Sequence, residues 1–184
     1  MNDLLFALLF FLPASIANMA PIFANNIPGL AAFDTPIDRG RTYNGVRVLG
    51  DHKTFRGLGA GAVGGLVGGA VQMVLYINSS FVRDVSVHVD YSNWWVLALG
   101  VVMGLGALAG DSVKSFFKRQ RGVAPGKGWF PFDQTDYIIG AALCSLPFVV
   151  APLSAYIIGV ATALILHPVV NIIGWLLKLK PNPL

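Results

Sequence analysis

Residues 137–177 read YIIGAALCSLPFVVAPLSAYIIGVATALILHPVVNIIGWLL, a stretch without a single Lys, Arg, Asp or Glu. A membrane-spanning helix needs about 20 consecutive, predominantly apolar residues, so this stretch is long enough for two of them. Pro147 and Pro152, followed by Ser154, mark the turn between the two. We therefore predict two transmembrane helices, over 137–151 and 154–177.

Three further apolar runs precede this stretch, at 4–23, 58–77 and 94–110. The whole chain is 55% hydrophobic and only 12% charged, whereas soluble domains carry about 25% charged residues. We predict a single, all-α integral membrane domain that comprises the whole chain of 184 residues. It has about five transmembrane helices and two long loops, over 25–56 and 111–135.

The distribution of Lys and Arg predicts how the chain is oriented in the membrane. Each of the two long loops contains five basic residues, whereas the segment 78–93 contains only Arg83. Because basic loops face the cytoplasm, we place both long loops and the C-terminal tail on that side. Five spans then put the N-terminus outside. We expect a multi-pass protein of the cell membrane.

Several function classes are excluded or disfavoured by composition. The basic residues lie between apolar spans and form no nucleic-acid-binding motif, so we exclude nucleic acid as a partner. Cys144 is the only cysteine, which rules out a disulfide within the chain. Glycines at every fourth position of the second span, from Gly57 to Gly69, favour close helix packing rather than a phosphate-binding loop. This packing can lie within or between chains, so a homodimer stays open.

Acidic and basic residues follow the third span directly, in the segment 110–119, which reads GDSVKSFFKR. On a helix, residues three or four positions apart share one face; here they are Asp111, Lys114, Ser115 and Lys118. A second acid pair, Asp133 and Asp136, comes just before the fourth span. Carboxylates and lysines brought together in this way indicate a site for a divalent cation and a polyphosphate. The alternative is a salt-bridged helix end with snorkelling lysines.

The first long loop contains a second group of charges, in the segment 34–57, which reads DTPIDRGRTYNGVRVLGDHKTFRG. Glycines separate its charges, and no helical period is present. This pattern is typical of a shaped functional loop on a rigid scaffold. In the first span, Asn18 lies between Pro13 and Pro21. It either lines a cytoplasmic cavity or forms an interhelical hydrogen bond.

These motifs together resemble the CDP-archaeol synthase family. The similarity runs from Pro13 to the end of the chain, and it is carried by the segments 13–21, 36–57, 110–119 and 131–136. It implies an integral membrane cytidylyltransferase with five transmembrane helices. Such an enzyme uses CTP and Mg²⁺ to convert a lipid phosphate, 2,3-bis-O-geranylgeranylglycerol phosphate, into CDP-archaeol and pyrophosphate.

The resemblance also implies roles for individual residues. Asp111 and Asp133 are expected to bind Mg²⁺, with Asp136 as a further candidate. The expected catalytic residues are Asp111, Lys114, Lys118 and Asp133, of which the lysines hold the triphosphate or the leaving pyrophosphate. The expected substrate-binding residues are Asn18, Asp38, Arg47, Lys53, Arg56, Ser115, Arg119 and Asp136.

A more distant similarity links the chain to CDP-diacylglycerol synthases, which carry a Gly-Asp…Ser…Lys-Arg segment and a later pair of aspartates. Lys114 stands where that family has Glu, and Gln134 stands where it has Arg. A CDP-diacylglycerol synthase that acts on phosphatidate or a related lipid phosphate therefore remains an alternative.

The sequence raises two other functional classes. A small transporter or membrane scaffold is a non-enzymatic alternative, but transporters bind substrate near the midplane at broken helices or repeats. The sequence shows no repeat, and its charges avoid the middle of the spans. The dense acidic motif of CDP-alcohol phosphotransferases is absent as well.

Overall fold

The computed structural model describes residues 2–124, 127–176 and 178. Its architecture is helical, as the sequence predicts. The helices are α1 (Asn2–Phe10), α2 (Leu12–Ala24), α3 (Phe55–Asn78), α4 (Ser80–Val85), α5 (Trp95–Gln120), α6 (Phe132–Ser145) and α7 (Leu153–Leu176).

The centre of the bundle is formed by α3, which packs against both α2 and α5. Glycines make this close approach possible: a methyl group at Gly104 would lie 2.6 Å from the carbonyl oxygen of Gly61. The apolar core lies along the first half of α5, where Leu99 and Met103 are fully buried with Phe6 and Phe10 of α1. The second half of α5 lies beyond this core and carries the polar side chains of Asp111, Lys114 and Lys118.

A break separates α1 from α2, and the two helices are bent by 43°. Pro13 lacks the N–H that would donate to the carbonyl of Leu9 in a continuous helix. Gln72 of α3 supplies a donor instead, because its Nε2 lies 2.6 Å from the oxygen of Leu9 and 3.3 Å from that of Phe10. A buried polar side chain thus satisfies backbone carbonyls that the bend exposes.

Among the described residues, three helices are individually long and apolar enough to cross a membrane, namely α3, α5 and α7. The bent pair of α1 and α2 is a fourth candidate. Helix α6 has 14 residues, which gives a length of about 21 Å, less than the hydrocarbon core of about 30 Å. The count of five spans stays a prediction.

The bounds of the second long loop differ from the prediction of 111–135. Helix α5 continues to Gln120, and α6 begins at Phe132, so both ends of the predicted loop are helical. An ion pair of 3.0 Å between Lys114 and Asp111 stabilises the extension. Basic residues in its last turn favour it as well. Residues 125 and 126 of this loop lie outside the described residues. The predicted end of the last span, at Leu177, and most of the C-terminal tail also lie outside them.

The first long loop is compact and has regular elements of its own. After a 3₁₀ turn (Pro28–Phe33), strands β1 (Thr42–Tyr43) and β2 (Val46–Arg47) pair in an antiparallel hairpin. The two residues between them, Asn44 and Gly45, both have positive φ, as the tight turns of two-residue hairpins require. The loop returns to the bundle at Thr54, whose side chain accepts a hydrogen bond from the N–H of Gly57 and caps α3.

Candidate active site

Three carboxylates converge on one lysine where α5 and α6 meet. Nζ of Lys114 lies 3.0 Å from Oδ1 of Asp111, 2.7 Å from Oδ1 of Asp133 and 2.9 Å from Oδ2 of Asp136. The side chains are largely buried, and that of Asp136 is only 7% exposed. The predicted grouping of these four residues is therefore present in the structure.

Two more lysines complete this group. Nζ of Lys118 lies 2.8 Å from Oδ2 of Asp133, and Lys53, which comes from the first loop, forms an ion pair with Asp111. The N–H of Trp129 also donates to Asp133. We call the six charged residues the acid–lysine cluster: Lys53, Asp111, Lys114, Lys118, Asp133 and Asp136.

Helix geometry explains why these residues meet. Asp133 and Asp136 are three residues apart on α6 and therefore lie on one face of that helix. This face is turned toward α5, because both carboxylates contact Lys114. Aspartate side chains are short, so they reach Lys114 only if the two helix backbones lie close together. Glycines permit this, since a methyl group at Gly140 would lie 2.9 Å from Cα of Gly110.

A polar pocket of about 280 Å³ opens beside the cluster, between α2, the start of α3 and α5. It is lined by Asp111 and Lys53 of the cluster together with Asn18, Asn25 and His52. The predicted cavity residue Asn18 therefore lies at the same pocket as two of the predicted phosphate and metal residues.

Asp38 and Arg47 form the centre of the first loop. The carboxylate of Asp38 accepts two hydrogen bonds from Arg47, at 3.0 and 2.9 Å, and others from the N–H groups of Gly40, Leu49 and Gly50. The Arg47 guanidinium holds the pKa of this carboxyl well below its usual range. With its side chain 2% exposed, Asp38 shapes the loop, and its predicted contact with substrate stays a prediction.

Arg56 lies on the other side of α2, at an apolar groove between α2 and α3. Its Nη2 lies 2.8 Å from Oδ1 of Asp34 and 2.7 Å from Oδ1 of Asn25. Of the remaining predicted residues, Ser115 is buried in α5, and Arg119 lies in the last turn of that helix. The structure therefore does not bring Arg56 into the acid–lysine cluster.

Some contacts at the site were not anticipated from the sequence. The pairing of Arg56 with Asn25 joins residues 31 positions apart, and no local pattern indicates it. The N–H of Trp129, which donates to Asp133 four residues later, is equally invisible in side-chain patterns. The cap at Thr54 could have been recognised from a hydroxyl residue before a helix.

The carboxylates of the cluster fit the ligand chemistry of Mg²⁺. This ion prefers oxygen ligands and usually binds one or two carboxylates together with substrate phosphates, rather than a cage made only of protein. Asp111 and Asp133 already flank a common cationic group in Lys114. Within the described residues, no group of three His, Cys, Asp or Glu side chains is placed to hold a metal ion by itself.

Comparison with known proteins identifies the family. The model of the CarS-like CDP-archaeol synthase family matches residues 1–184. The chain belongs to this family. A CDP-archaeol synthase of Methanospirillum hungatei is 40% identical over 86% of this chain and 95% of that protein. One from Methanosarcina barkeri is 36% identical over 90% and 99%, and one from Pyrococcus furiosus is 29% identical over 100% and 99%.

A solved structure, described as an intramembrane enzyme for archaeal membrane lipids biosynthesis, has the same fold. It is 32% identical, covers 92% of this chain and 94% of its own, and superimposes with a TM-score of 0.69. The family resemblance carried by the motifs, the helical multi-pass membrane fold and the enzymatic function of a CDP-archaeol synthase are thereby confirmed.

Proposed function

We propose that this chain transfers CMP from CTP to the phosphate of 2,3-bis-O-geranylgeranylglycerol phosphate, and that it releases CDP-archaeol and pyrophosphate with the help of Mg²⁺. One observation carries the site assignment: three carboxylates, of Asp111, Asp133 and Asp136, converge on Nζ of Lys114. Membership of the family supports the choice of reaction.

The reaction demands positioning more than proton transfer. An oxygen of the lipid phosphate attacks the α-phosphorus of CTP, a new P–O bond forms, and the bond from the α-phosphorus to the oxygen of pyrophosphate breaks. The attacking oxygen is already ionised, so no general base is required. Catalysis then rests on in-line alignment and on neutralisation of the phosphate charges.

The acid–lysine cluster suits these demands. Asp111 and Asp133 would hold Mg²⁺, which when bound neutralises phosphate oxygens. Lys114 and Lys118 provide fixed positive charge for the triphosphate, and their ion pairs with the aspartates preorganise them. Lys53 brings the first loop to the same point through Asp111.

Other predicted residues would act around this centre. Asn18 lines the polar pocket beside Asp111, where it could donate to the nucleotide. Arg119, at the end of α5, would meet a phosphate group. The guanidinium of Arg47 is engaged by Asp38 and Asp51, so Arg47 would act by holding the first loop in shape. Ser115 lies buried in α5. The cytoplasmic placement of both loops would give the site access to CTP.

The proposal is tested by pyrophosphate release from purified protein in detergent. We expect release to require CTP, the diether lipid phosphate and Mg²⁺ together, and to stop when EDTA is added and resume with excess Mg²⁺. Release that continues in EDTA would remove the metal from the proposal. Release without lipid phosphate would indicate a hydrolase instead.

A further inference from the structure

A second groove, here called the α5–α6 groove, runs from the acid–lysine cluster along the outside of the bundle. It has a volume of about 570 Å³, which lies within the range of about 300–1,000 Å³ typical of small-molecule sites. Glycines form its floor, where α5 and α6 touch, and larger apolar residues form its walls. The wall residues include Ala109, Val113, Ile139 and Leu143.

The groove extends well below the charged residues. From Lys114 to Gly106 on α5, and from Asp136 to Cys144 on α6, the helices advance eight residues, which corresponds to about 12 Å. Both pairs line the groove. At its deep end Gly106 and Cys144 are adjacent, since a methyl group at Gly106 would lie 2.9 Å from the Cys144 sulfur.

The polar end of the groove is part of the cluster itself. Lys114 and Asp136 belong to both, and Arg121 adds a second positive charge to the lining. By contrast, the α2–α3 groove, at about 590 Å³, shares none of its described lining residues with the cluster. Its charged lining residue, Arg56, contacts Asp34 and Asn25, which lie outside the cluster.

We infer that the α5–α6 groove binds a prenyl chain of the lipid phosphate, with the phosphate held between Lys114 and Arg121. This inference rests on the proposed function and adds the location of the lipid. The groove has two basic groups and one carboxylate at one end and apolar residues along the rest. A ligand with an anionic head and an apolar chain matches both parts. A neutral membrane lipid matches only the apolar part.

Cys144, the only cysteine of the chain, reports occupancy without any substitution. We expect alkylation of Cys144 by N-ethylmaleimide in detergent to slow about tenfold when the lipid phosphate is present at about ten times its Kd. The dephosphorylated diether, with the same chains, serves as the matched ligand control and should protect much less. Equal protection by both lipids, or by neither, would overturn the inference.

The α2–α3 groove is probed with the double variant Cys144→Ala/Ala60→Cys, in which the thiol lies in that groove instead. The lipid phosphate should leave its alkylation rate unchanged. Protection of this thiol in place of Cys144 would assign the chain to the other groove and overturn the inference.

Filling each groove gives a kinetic test. Ala109→Phe should raise the KM for the lipid phosphate on the order of tenfold or more, as expected when an apolar pocket is reshaped, with the KM for CTP unchanged. Val63→Phe, in the α2–α3 groove, should change neither. If CMP transfer is normal in Ala109→Phe at every lipid concentration, the groove assignment is wrong, although the proposed reaction stands.

Discussion

Nζ of Lys114 lies 2.9 Å from Oδ2 of Asp136, and this contact ties the polar end of α5 to the start of α6. The same ammonium group also reaches Asp111 and Asp133. A single positive charge thus lies among three carboxylates that come from two helices. The ion pairs hold the three carboxylates close to one another, where α5 meets α6.

Removal of one negative charge from the cluster should stop the reaction while the protein remains folded. We expect Asp111→Asn and Asp133→Asn each to lower CMP transfer on the order of 10²–10³-fold, as loss of one preorganised electrostatic group does. The amide keeps the size of the side chain and one acceptor oxygen, so we expect a folded protein, with a lowered melting temperature because buried lysines lose part of their pairing. The measurement is the rate with labelled CTP, beside thermal unfolding in detergent.

Asp51→Asn is the control for this pair, because Asp51 is exposed and contacts Arg47 rather than the cluster. It should transfer CMP at the normal rate. Normal turnover in a well-folded Asp111→Asn or Asp133→Asn protein would remove that residue from the site.

The sequence was informative wherever a pattern is local. The apolar runs predicted the helices, and the spacing of Asp111, Lys114 and Lys118 predicted one shared face of α5. Distances between distant segments were not accessible in this way. The ion pair of Lys53 with Asp111 joins residues 58 positions apart, and only the folding of the first loop onto α5 produces it.

The end of a predicted apolar span and the end of its helix differ, for a physical reason. Hydropathy ends the third span at Gly110, where charges begin, but the backbone stays helical to Gln120. Ion pairs and the aligned peptide dipoles favour that extension. A hydropathy pattern reports the apolar part of a helix, whereas hydrogen bonding and charge set where the helix stops.

The first loop should depend strongly on Asp38. Asp38→Ala removes the acceptor for Arg47 and three backbone N–H groups, and a buried donor left without its partner costs about 1–3 kcal/mol. We expect rapid cleavage of the loop in limited proteolysis. The control is Asp51→Ala, in which the lost carboxylate is 76% exposed. This change should lower the free energy of unfolding by only about 0–1 kcal/mol. Its loop should resist cleavage as the unmodified protein does.

The pH dependence of this loop follows from the same contacts. Arg47 lowers the pKa of the Asp38 carboxyl in the folded protein. The contribution of the pair is therefore fully present above the ordinary aspartate pKa of about 3.9 and is lost only as the pH falls below it, through the folded-state pKa. Cleavage that accelerates between about pH 7 and pH 5 would contradict this assignment.

Gln72 should stabilise the bend between α1 and α2. Gln72→Leu leaves the carbonyl of Leu9 without its donor, and an unsatisfied buried acceptor costs about 1–3 kcal/mol. Pro13→Ala restores a backbone N–H to that carbonyl. The double variant should therefore lose less stability than the sum of the single variants in thermal unfolding. Strict additivity would show that Gln72 and Pro13 do not act on the same carbonyl.

The orientation predicted from the basic loops can be checked by thiol labelling of intact cells. In a Cys144→Ala background, single cysteines at Thr42 or Lys127 should resist an impermeant reagent, because both lie in the loops placed inside. A cysteine at Val87, whose side chain is 73% exposed, should react. Labelling at Thr42 or Lys127 from outside would invert the topology.

Transfer of CMP to an ether-lipid phosphate can be tested by one competition assay. Equal amounts of 2,3-bis-O-geranylgeranylglycerol phosphate and dioleoyl phosphatidate are offered to limiting enzyme with CTP labelled at the α-phosphorus. We predict that the label appears mainly in CDP-archaeol, and that Asp133→Asn forms neither product. A product that is mainly CDP-diacylglycerol would contradict the assigned lipid, and label in neither lipid would contradict the reaction itself.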